Sequence, residues 1–188
     1  SSGRASRRLD RRLLQEEDGM AVSAPAKIAI YVFSLFHPKE VEVAPVDNSV
    51  LRVRCGQEIT RLEGAARKAL GVGCRVDSYS DGPAEFELSI PGKIARQYKG
   101  TAEIHPGDNQ VLPVVRMDTE TIVAAMVAAE LSTDVPMAAF EAQAIAARSY
   151  LVAGGKRHRV AHSCDTTHCQ FMRDPPGPNH KATIAAAK

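Results

Sequence analysis

The sequence predicts an α+β protein, in which a small β-rich N-terminal region precedes a helical hairpin and a loop rich in cysteine and histidine. Short stretches of β-branched and aromatic residues, divided by Pro, Gly, Asn and Asp, fill the first part of the chain. Two alanine-rich stretches with apolar residues at helical spacing follow them. We therefore divide the 188 residues into a flexible tail at 1–20, a β-rich domain at 21–112 and a second part at 113–188.

The composition is that of a globular protein, with 44% hydrophobic and 24% charged residues. The formal net charge is only +2 and the chain has no Trp, so neither a basic surface nor aromatic stacking indicates a nucleic-acid partner. No apolar run approaches the roughly 20 residues that span a bilayer. The nearest candidate, Ile28–Phe36, is short and β-branched, and we interpret it as a buried strand rather than a transmembrane segment.

The region up to residue 112 consists mostly of extended stretches. Six of them alternate with turn residues, and they read KIAIYVFSLF, EVEVAPV, SVLRVRCG, CRVDSYS, EFELSI and YKGTAEIHPG. One helical turn is expected in RLEGAARKAL. The first 20 residues are polar, with basic residues before acidic ones, and predict the flexible tail. Because nothing here resembles a catalytic motif, we interpret this region as a scaffold or binding domain.

The region after residue 112 predicts a tight helical hairpin. The first helix should run from about Thr119 to Leu131, with Asp118 as its N-cap. Pro136 suits the first turn of a second helix, MAAFEAQAIAARSYLVA, and the glycines at 154 and 155 should end that helix in a left-handed cap. The core-facing stripe of the second helix should consist of Phe140, Ala144, Ala147 and Leu151.

Glu130 is the carboxylate that stands out in the helical part. Steps of four residues from Ile122 through Met126 place it at the end of an apolar stripe, where a charge is unusual. Partial burial and the unpaired carbonyls of the last helical turn would both favour the protonated form, as a general acid near neutrality requires. The alternative interpretation is structural: a solvated Glu, or one paired with Arg148.

Cysteines and histidines gather in the loop after the second helix. Cys164 and Cys169 are separated by four residues. Three histidines lie close by, namely His158, His162 and His168. Thiolates and imidazoles are the ligands of structural zinc sites, so this spacing indicates zinc. A disulfide between the two cysteines, or a reactive thiol with Asp165 or His168 as its base, are alternatives that the residues leave open.

A second pair of cysteines, Cys55 and Cys74, lies in the β-rich region. In a secreted domain the two could form a disulfide. A chain of 188 residues buries a hydrophobic core without such a staple, so we expect two buried thiols instead.

Three motifs in the second part of the chain resemble those of a known family. VVRMDTETIVAAMVAAEL, AFEAQAIAARSYLV and CDTTHCQ occur in this order between Val114 and Phe171. The segment resembles the SpoIID/LytB family, whose founder is the stage II sporulation protein D of endospore formers, and its middle motif is similar to the family's ALKAQAVAARTY helix. The resemblance implies a peptidoglycan lytic transglycosylase. Such a lyase cleaves between N-acetylmuramic acid and N-acetylglucosamine without water and leaves a 1,6-anhydro end.

The resemblance also implies roles for single residues. By position it makes Glu130 the catalytic residue, which protonates the leaving oxygen and then takes a proton from the C6 hydroxyl of the sugar. It assigns substrate-binding positions to Gln143, Arg148 and Gln170. It implies a structural zinc ion beside the glycan cleft, held by His158, Cys164, His168 and Cys169, with His162 as the fallback ligand.

The surroundings that the resemblance implies are those of a cell-wall protein. Its partner would be the glycan strands of peptidoglycan, in an extracytoplasmic location such as the cell wall or the periplasm. The LytB branch suggests an alternative function, a non-catalytic wall-binding module that stimulates a partner amidase. Family members continue with a TxGxVLxYxG stretch, so we expect the core at 113–188 to be incomplete at its C-terminal side, which bears on its activity.

Overall fold

The computed structural model describes residues 26–188, so the tail expected at 1–20 lies outside the described residues. This part of the chain is an α+β protein with ten strands and three helices, as the sequence predicts. The first seven strands are β1 (Lys27–Tyr31), β2 (Val41–Pro45), β3 (Leu51–Cys55), β4 (Glu58–Leu62), β5 (Lys68–Leu70), β6 (Cys74–Ser78) and β7 (Ala84–Ile90). The elements that follow are β8 (Ile94–Gly107), β9 (Gln110–Asp118), α1 (Thr119–Glu130), α2 (Met137–Ala153), β10 (Ser163–Cys164) and α3 (Lys181–Ala186). No helix within residues 26–188 is long and apolar enough to span a membrane.

The long strand β8 joins two halves of the sheet. Its first half pairs with β7, from Ile94 opposite Ile90 to Gly100 opposite Ala84. Its second half pairs with β9 and β6, and the strand order through this half is β10-β1-β9-β8-β6-β3-β4. Short strand β10 lies parallel to β1, so the loop that carries the cysteines is attached to the edge of the sheet.

Gly100 is the residue at which β8 passes from one half of the sheet to the other. Its φ is +154°, and a Cβ at this position would lie 2.0 Å from the carbonyl oxygen of Arg116 in β9. The neighbouring backbone cannot yield to that contact as a flexible side chain would. The close approach of β8 to β9 therefore depends on the absence of a side chain at Gly100.

The structure confirms the helical hairpin. Helix α1 begins after Asp118, whose carboxylate accepts a 2.9 Å hydrogen bond from the backbone N–H of Glu120. Helix α2 begins after Pro136, which is the N-cap residue rather than part of the first turn, and Gly155 beyond its end has φ +56°. The buried positions of α2 are the predicted ones, Phe140, Ala144, Ala147 and Leu151. The short helix α3 packs against both α1 and α2.

One local prediction, the helical turn in RLEGAARKAL, was wrong. The segment expected to contain a helical turn instead connects β4, which ends at Leu62, to β5, which begins at Lys68. The boundary placed at residue 112 lies inside β9, in which Pro113 pairs with Ile104. One cluster of buried side chains runs from Ile28 to Ala186, so the parts at 21–112 and 113–188 share a hydrophobic core.

Cys55 and Cys74 form a disulfide between β3 and β6, and the prediction of two buried thiols was wrong. The two residues lie directly opposite each other in the register of this strand pair, with their Cα atoms 4.2 Å apart. A separation this short allows a disulfide without movement of the backbone. The register, which the sequence does not reveal, is what brings the two thiols together.

Candidate active site and metal cluster

Glu130 is the last residue of α1 and accepts hydrogen bonds from two glutamine side chains. Gln143 of α2 donates from Nε2 to Oε2, and Gln170 of the loop after β10 donates from Nε2 to Oε1. Each carboxylate oxygen therefore has its own amide donor. The structure brings together the predicted catalytic residue and two of the three residues predicted to bind substrate.

The surroundings of Glu130 differ from those expected. Its side chain is exposed, whereas Ile122 and Met126 on the same stripe are fully buried. The last turn of α1 thus emerges from the core, and the expectation of partial burial was wrong. No ion pair within residues 26–188 involves Glu130. It is a solvent-accessible carboxylate that neutral amides hold in place.

Arg148 does not reach Glu130. Its Nε and Nη2 donate to the two oxygens of Glu120 at 3.2 and 2.6 Å, and Nη2 also donates to the carbonyl oxygen of Ala186 at 2.5 Å. These bonds join α2 to α1 and α3, so the guanidinium belongs to the packing of the three helices. The alternative in which Arg148 pairs with Glu130 is therefore wrong, and the assignment of Arg148 to substrate binding stays a prediction.

Four side chains of the cysteine and histidine loop converge on one point. One ligand atom from each lies within 4.8 Å of all the others. We name these four residues the metal cluster: His158, Cys164, His168 and Cys169. The Sγ of Cys169 is 3.1 Å from His158 Nε2 and 3.4 Å from His168 Nδ1. In a tetrahedral zinc site with bonds of about 2.0–2.3 Å, ligand atoms lie about 3.3–3.8 Å from one another. The donor set and its spacing therefore fit a zinc ion.

The other interpretations of this loop agree less well with the geometry. Cys164 and Cys169 are free and buried, so they do not form the alternative disulfide. His162 lies outside the cluster, where its Nδ1 accepts a 3.2 Å hydrogen bond from the backbone N–H of Ala29. Asp165, considered as the base of a reactive thiol, is paired with Arg96. The four residues of the metal cluster are thus those that the family resemblance implies.

Protonation in the cluster is compatible with metal binding. Burial, followed by the neighbouring His168, lowers the pKa of His158, so this imidazole is neutral near pH 7. Burial raises the pKa of the Cys169 thiol. At Cys164 burial also acts to raise the pKa, but the hydrogen bonds with Thr166, His168 and Cys169 together outweigh it and lower the pKa. A metal ion must displace the thiol protons that remain, so its binding weakens in acid.

Asp165 fixes the part of the cysteine and histidine loop that directly follows β10. Its buried carboxylate pairs with Arg96 Nη1 at 2.8 Å. It also accepts hydrogen bonds from the backbone N–H groups of Phe33 and Ser34 at 2.8 and 3.3 Å. Because Asp165 directly follows Cys164, these bonds hold the first cysteine against the segment after β1. The acidic residue inside CDTTHC was visible in the sequence, but its partner Arg96, in a distant strand, was not.

The C-terminal half of the chain matches one known family. Residues 107–187 match the model of SpoIID, described as a stage II sporulation protein. The matched segment begins at the end of β8 and includes Glu130, both glutamines that hold it and the four residues of the metal cluster. No curated protein and no solved structure gives a significant match to the chain.

Proposed function

Residues 107–187 form a SpoIID domain, by which the chain belongs to that family, and on this premise we propose that the protein is a peptidoglycan lytic transglycosylase. The observation that carries the proposal is the convergence of Gln143 and Gln170 on the exposed carboxylate of Glu130. A lytic transglycosylase needs only one such carboxylate, because the nucleophile is the C6 hydroxyl of its own substrate.

In the first step, Glu130 transfers a proton to the glycosidic oxygen. A carboxyl group has about four lone-pair sites, and the two amide bonds occupy two of them. One oxygen can therefore carry a proton while both glutamines stay bonded. As the bond from C1 to the leaving oxygen breaks, positive charge develops on the N-acetylmuramic acid ring and Glu130 is left as a carboxylate.

In the second step, the Glu130 carboxylate takes the proton of the C6 hydroxyl while that oxygen bonds to C1. The 1,6-anhydro ring closes and the protonated acid is restored, so no water is consumed. Gln143 and Gln170 each hold a different oxygen, and this keeps the carboxyl group in one orientation through both transfers.

The metal cluster has a structural role in this proposal. Its two cysteines and two histidines would hold a zinc ion with four protein ligands, which leaves no open position for a reacting water. That agrees with a reaction that uses no water. Gln170 directly follows Cys169, so an ordered cluster fixes the backbone from which Gln170 reaches Glu130.

The proposed substrate implies a location outside the cytoplasmic membrane. The disulfide between Cys55 and Cys74 supports this, since disulfides persist in oxidising compartments. Cys164 and Cys169 are free in the same chain, and coordination to a metal would protect their sulfurs from thiol exchange in such a compartment.

The test compares wild type, Glu130→Gln and Glu63→Gln on purified glycan strands. Glu130→Gln keeps the shape of the side chain but carries no transferable acid proton, so we expect 1,6-anhydro ends, measured by mass spectrometry, to fall at least about 10²-fold. Glu63, an exposed glutamate paired with Arg61, is the matched control, and its variant should retain wild-type activity.

Three outcomes would contradict the proposal. Equal product from wild type and Glu130→Gln would remove Glu130 from the chemistry. Hydrolysed ends in place of anhydro ends would change the reaction class. A chain that releases no product but stimulates an added amidase, equally with Glu130→Gln, would instead indicate a wall-binding module.

A further inference from the structure

Tyr150 joins helix α2 to the cysteine and histidine loop. Its hydroxyl donates a 2.6 Å hydrogen bond to the carbonyl oxygen of Cys169. Arg157 donates from Nη1 to the same hydroxyl, and its guanidinium lies over the ring, 4.0 Å from the centroid. Because a guanidinium can only donate, the phenolic proton of Tyr150 is directed to Cys169.

Tyr150 and Gln143 lie on the same face of α2. Seven residues separate them, which is close to two helical turns and about 10.5 Å along the axis. Gln143 bonds one oxygen of Glu130 directly, while Tyr150 holds the peptide from which Gln170 reaches the other oxygen. One face of α2 therefore contacts Glu130 directly through Gln143 and supports the backbone of Gln170 through Tyr150.

We propose that Tyr150 is a positioning residue that holds Gln170 against Glu130 and thereby couples the order of the metal cluster to the catalytic carboxylate. The catalytic part of this statement rests on the proposed function. A glutamine side chain loses much rotamer freedom when it is fixed, so its amide keeps one place only where the backbone is also fixed. The carbonyl that Tyr150 binds belongs to the peptide bond between Cys169 and Gln170.

Arg157 extends this connection to the histidine side of the cluster. Its backbone N–H donates to the carbonyl of His162 at 3.1 Å, and the N–H of His158 donates to the carbonyl of Ala161 at 3.1 Å. Arg157 and His158 thus belong to one short paired segment. Through Arg157, the phenol of Tyr150 is connected to the segment that carries His158 as well as to Cys169.

The first experiment measures the side-chain amide of Gln170 directly. In ¹H–¹⁵N spectra of the zinc-loaded protein, this signal is assigned by its absence from Gln170→Met. Tyr150→Phe removes the hydroxyl and keeps the ring, and we expect exchange of the Gln170 amide with water to accelerate at least about fivefold. The Gln143 amide should keep its exchange rate. Tyr79→Phe, which alters a half-exposed tyrosine of the β-rich part, is the matched control and should change neither signal.

The second experiment measures glycan cleavage by the same variants. Tyr150→Phe should lower kcat on the order of tenfold and change KM less than about twofold, because the sugar-binding surface persists while the carboxylate loses its fixed orientation. The double variant Tyr150→Phe, Gln170→Met should lower kcat no more than Gln170→Met alone, since both substitutions break the same connection between Tyr150 and Glu130.

The outcomes separate the two proposals. Unchanged exchange at Gln170 in a folded, zinc-loaded Tyr150→Phe would overturn the positioning role, whether or not the chain cleaves glycan. No product from wild type, with exchange at Gln170 still dependent on Tyr150, would contradict the proposed function and support the positioning. If Tyr150→Phe does not fold, Arg157→Met removes the second donor and should accelerate the same exchange; no acceleration there would also overturn the proposal.

Discussion

Arg96 and Asp165 form an ion pair of 2.8 Å that joins strand β8 to the cysteine and histidine loop. The side chain of Asp165 is 3% exposed and that of Arg96 is 16% exposed, so the pair lies almost entirely away from water. Asp165 directly follows Cys164, one of the four residues of the metal cluster. The order of the cysteine and histidine loop therefore depends on the buried charge of Arg96, which the β-rich part of the chain supplies.

Asp165→Asn should lower the free energy of unfolding by about 3–5 kcal/mol, because it removes the ion-pair partner of the buried Arg96 guanidinium. Urea denaturation of the zinc-loaded protein measures the change. Glu63→Gln removes a carboxylate from an exposed pair with Arg61 and should cost less than about 1 kcal/mol. Equal losses of unfolding free energy in the two variants would show that the buried pair of Arg96 and Asp165 stabilises the protein no more than an exposed pair does.

The ligand set of the metal cluster predicts which variants lose zinc. Cys164→Ser and His168→Gln each remove one of the four proposed ligands, and we expect zinc affinity to fall at least about 10²-fold in each. His162→Gln should keep about one zinc per chain, because His162 bonds Ala29 outside the cluster. Metal analysis after purification without chelator checks this. Zinc lost from His162→Gln and retained by His168→Gln would reverse the assignment.

Local signals account for what the sequence predicted well. Asp118 caps α1 and Gly155 follows the end of α2 in a left-handed conformation, and both are effects of residues on their own neighbours. The spacing of Cys164 and Cys169 lies within one loop, so it indicated the metal cluster without knowledge of the fold. The exposure of Glu130 was not predictable in this way, because the sequence does not show where α1 leaves the core.

Long-range pairings account for what the sequence left out. Cys55 meets Cys74 only because β3 and β6 pair in one particular register. Asp165 meets Arg96 only because the loop folds back beside β8. A shift of one residue in a strand pair turns its side chains to the other face, so composition and spacing do not determine such contacts.

Gly100→Ala should destabilise the protein by more than about 3 kcal/mol, because the added methyl group would lie 2.0 Å from the carbonyl oxygen of Arg116 and requires an unfavourable φ. Thermal unfolding followed by circular dichroism measures the effect. Gly71→Ala is the control, since a Cβ at Gly71 meets no atom within 4 Å. Similar unfolding temperatures for both variants would mean that β8 and β9 separate without cost at this point.

The disulfide between Cys55 and Cys74 should contribute about 3 kcal/mol to stability, as expected for a cross-link between residues 19 positions apart. Peptide mapping without reduction should find this one pairing, with Cys164 and Cys169 alkylated after zinc is removed. The double variant Cys55→Ala, Cys74→Ala should unfold at correspondingly lower urea concentration. A disulfide between Cys164 and Cys169 in freshly purified protein would contradict the metal assignment.

Arg148 provides a test between helix packing and substrate binding. Arg148→Lys keeps the positive charge but cannot donate to both oxygens of Glu120 and to Ala186 in the same geometry, so we expect stability to fall by about 1–2 kcal/mol. The KM for glycan should stay within about twofold, because the guanidinium is held among the helices rather than beside Glu130. Arg67→Lys, at an exposed arginine paired with Glu87, is the control and should change neither quantity. A several-fold rise in KM with unchanged stability in Arg148→Lys would restore Arg148 to the substrate site.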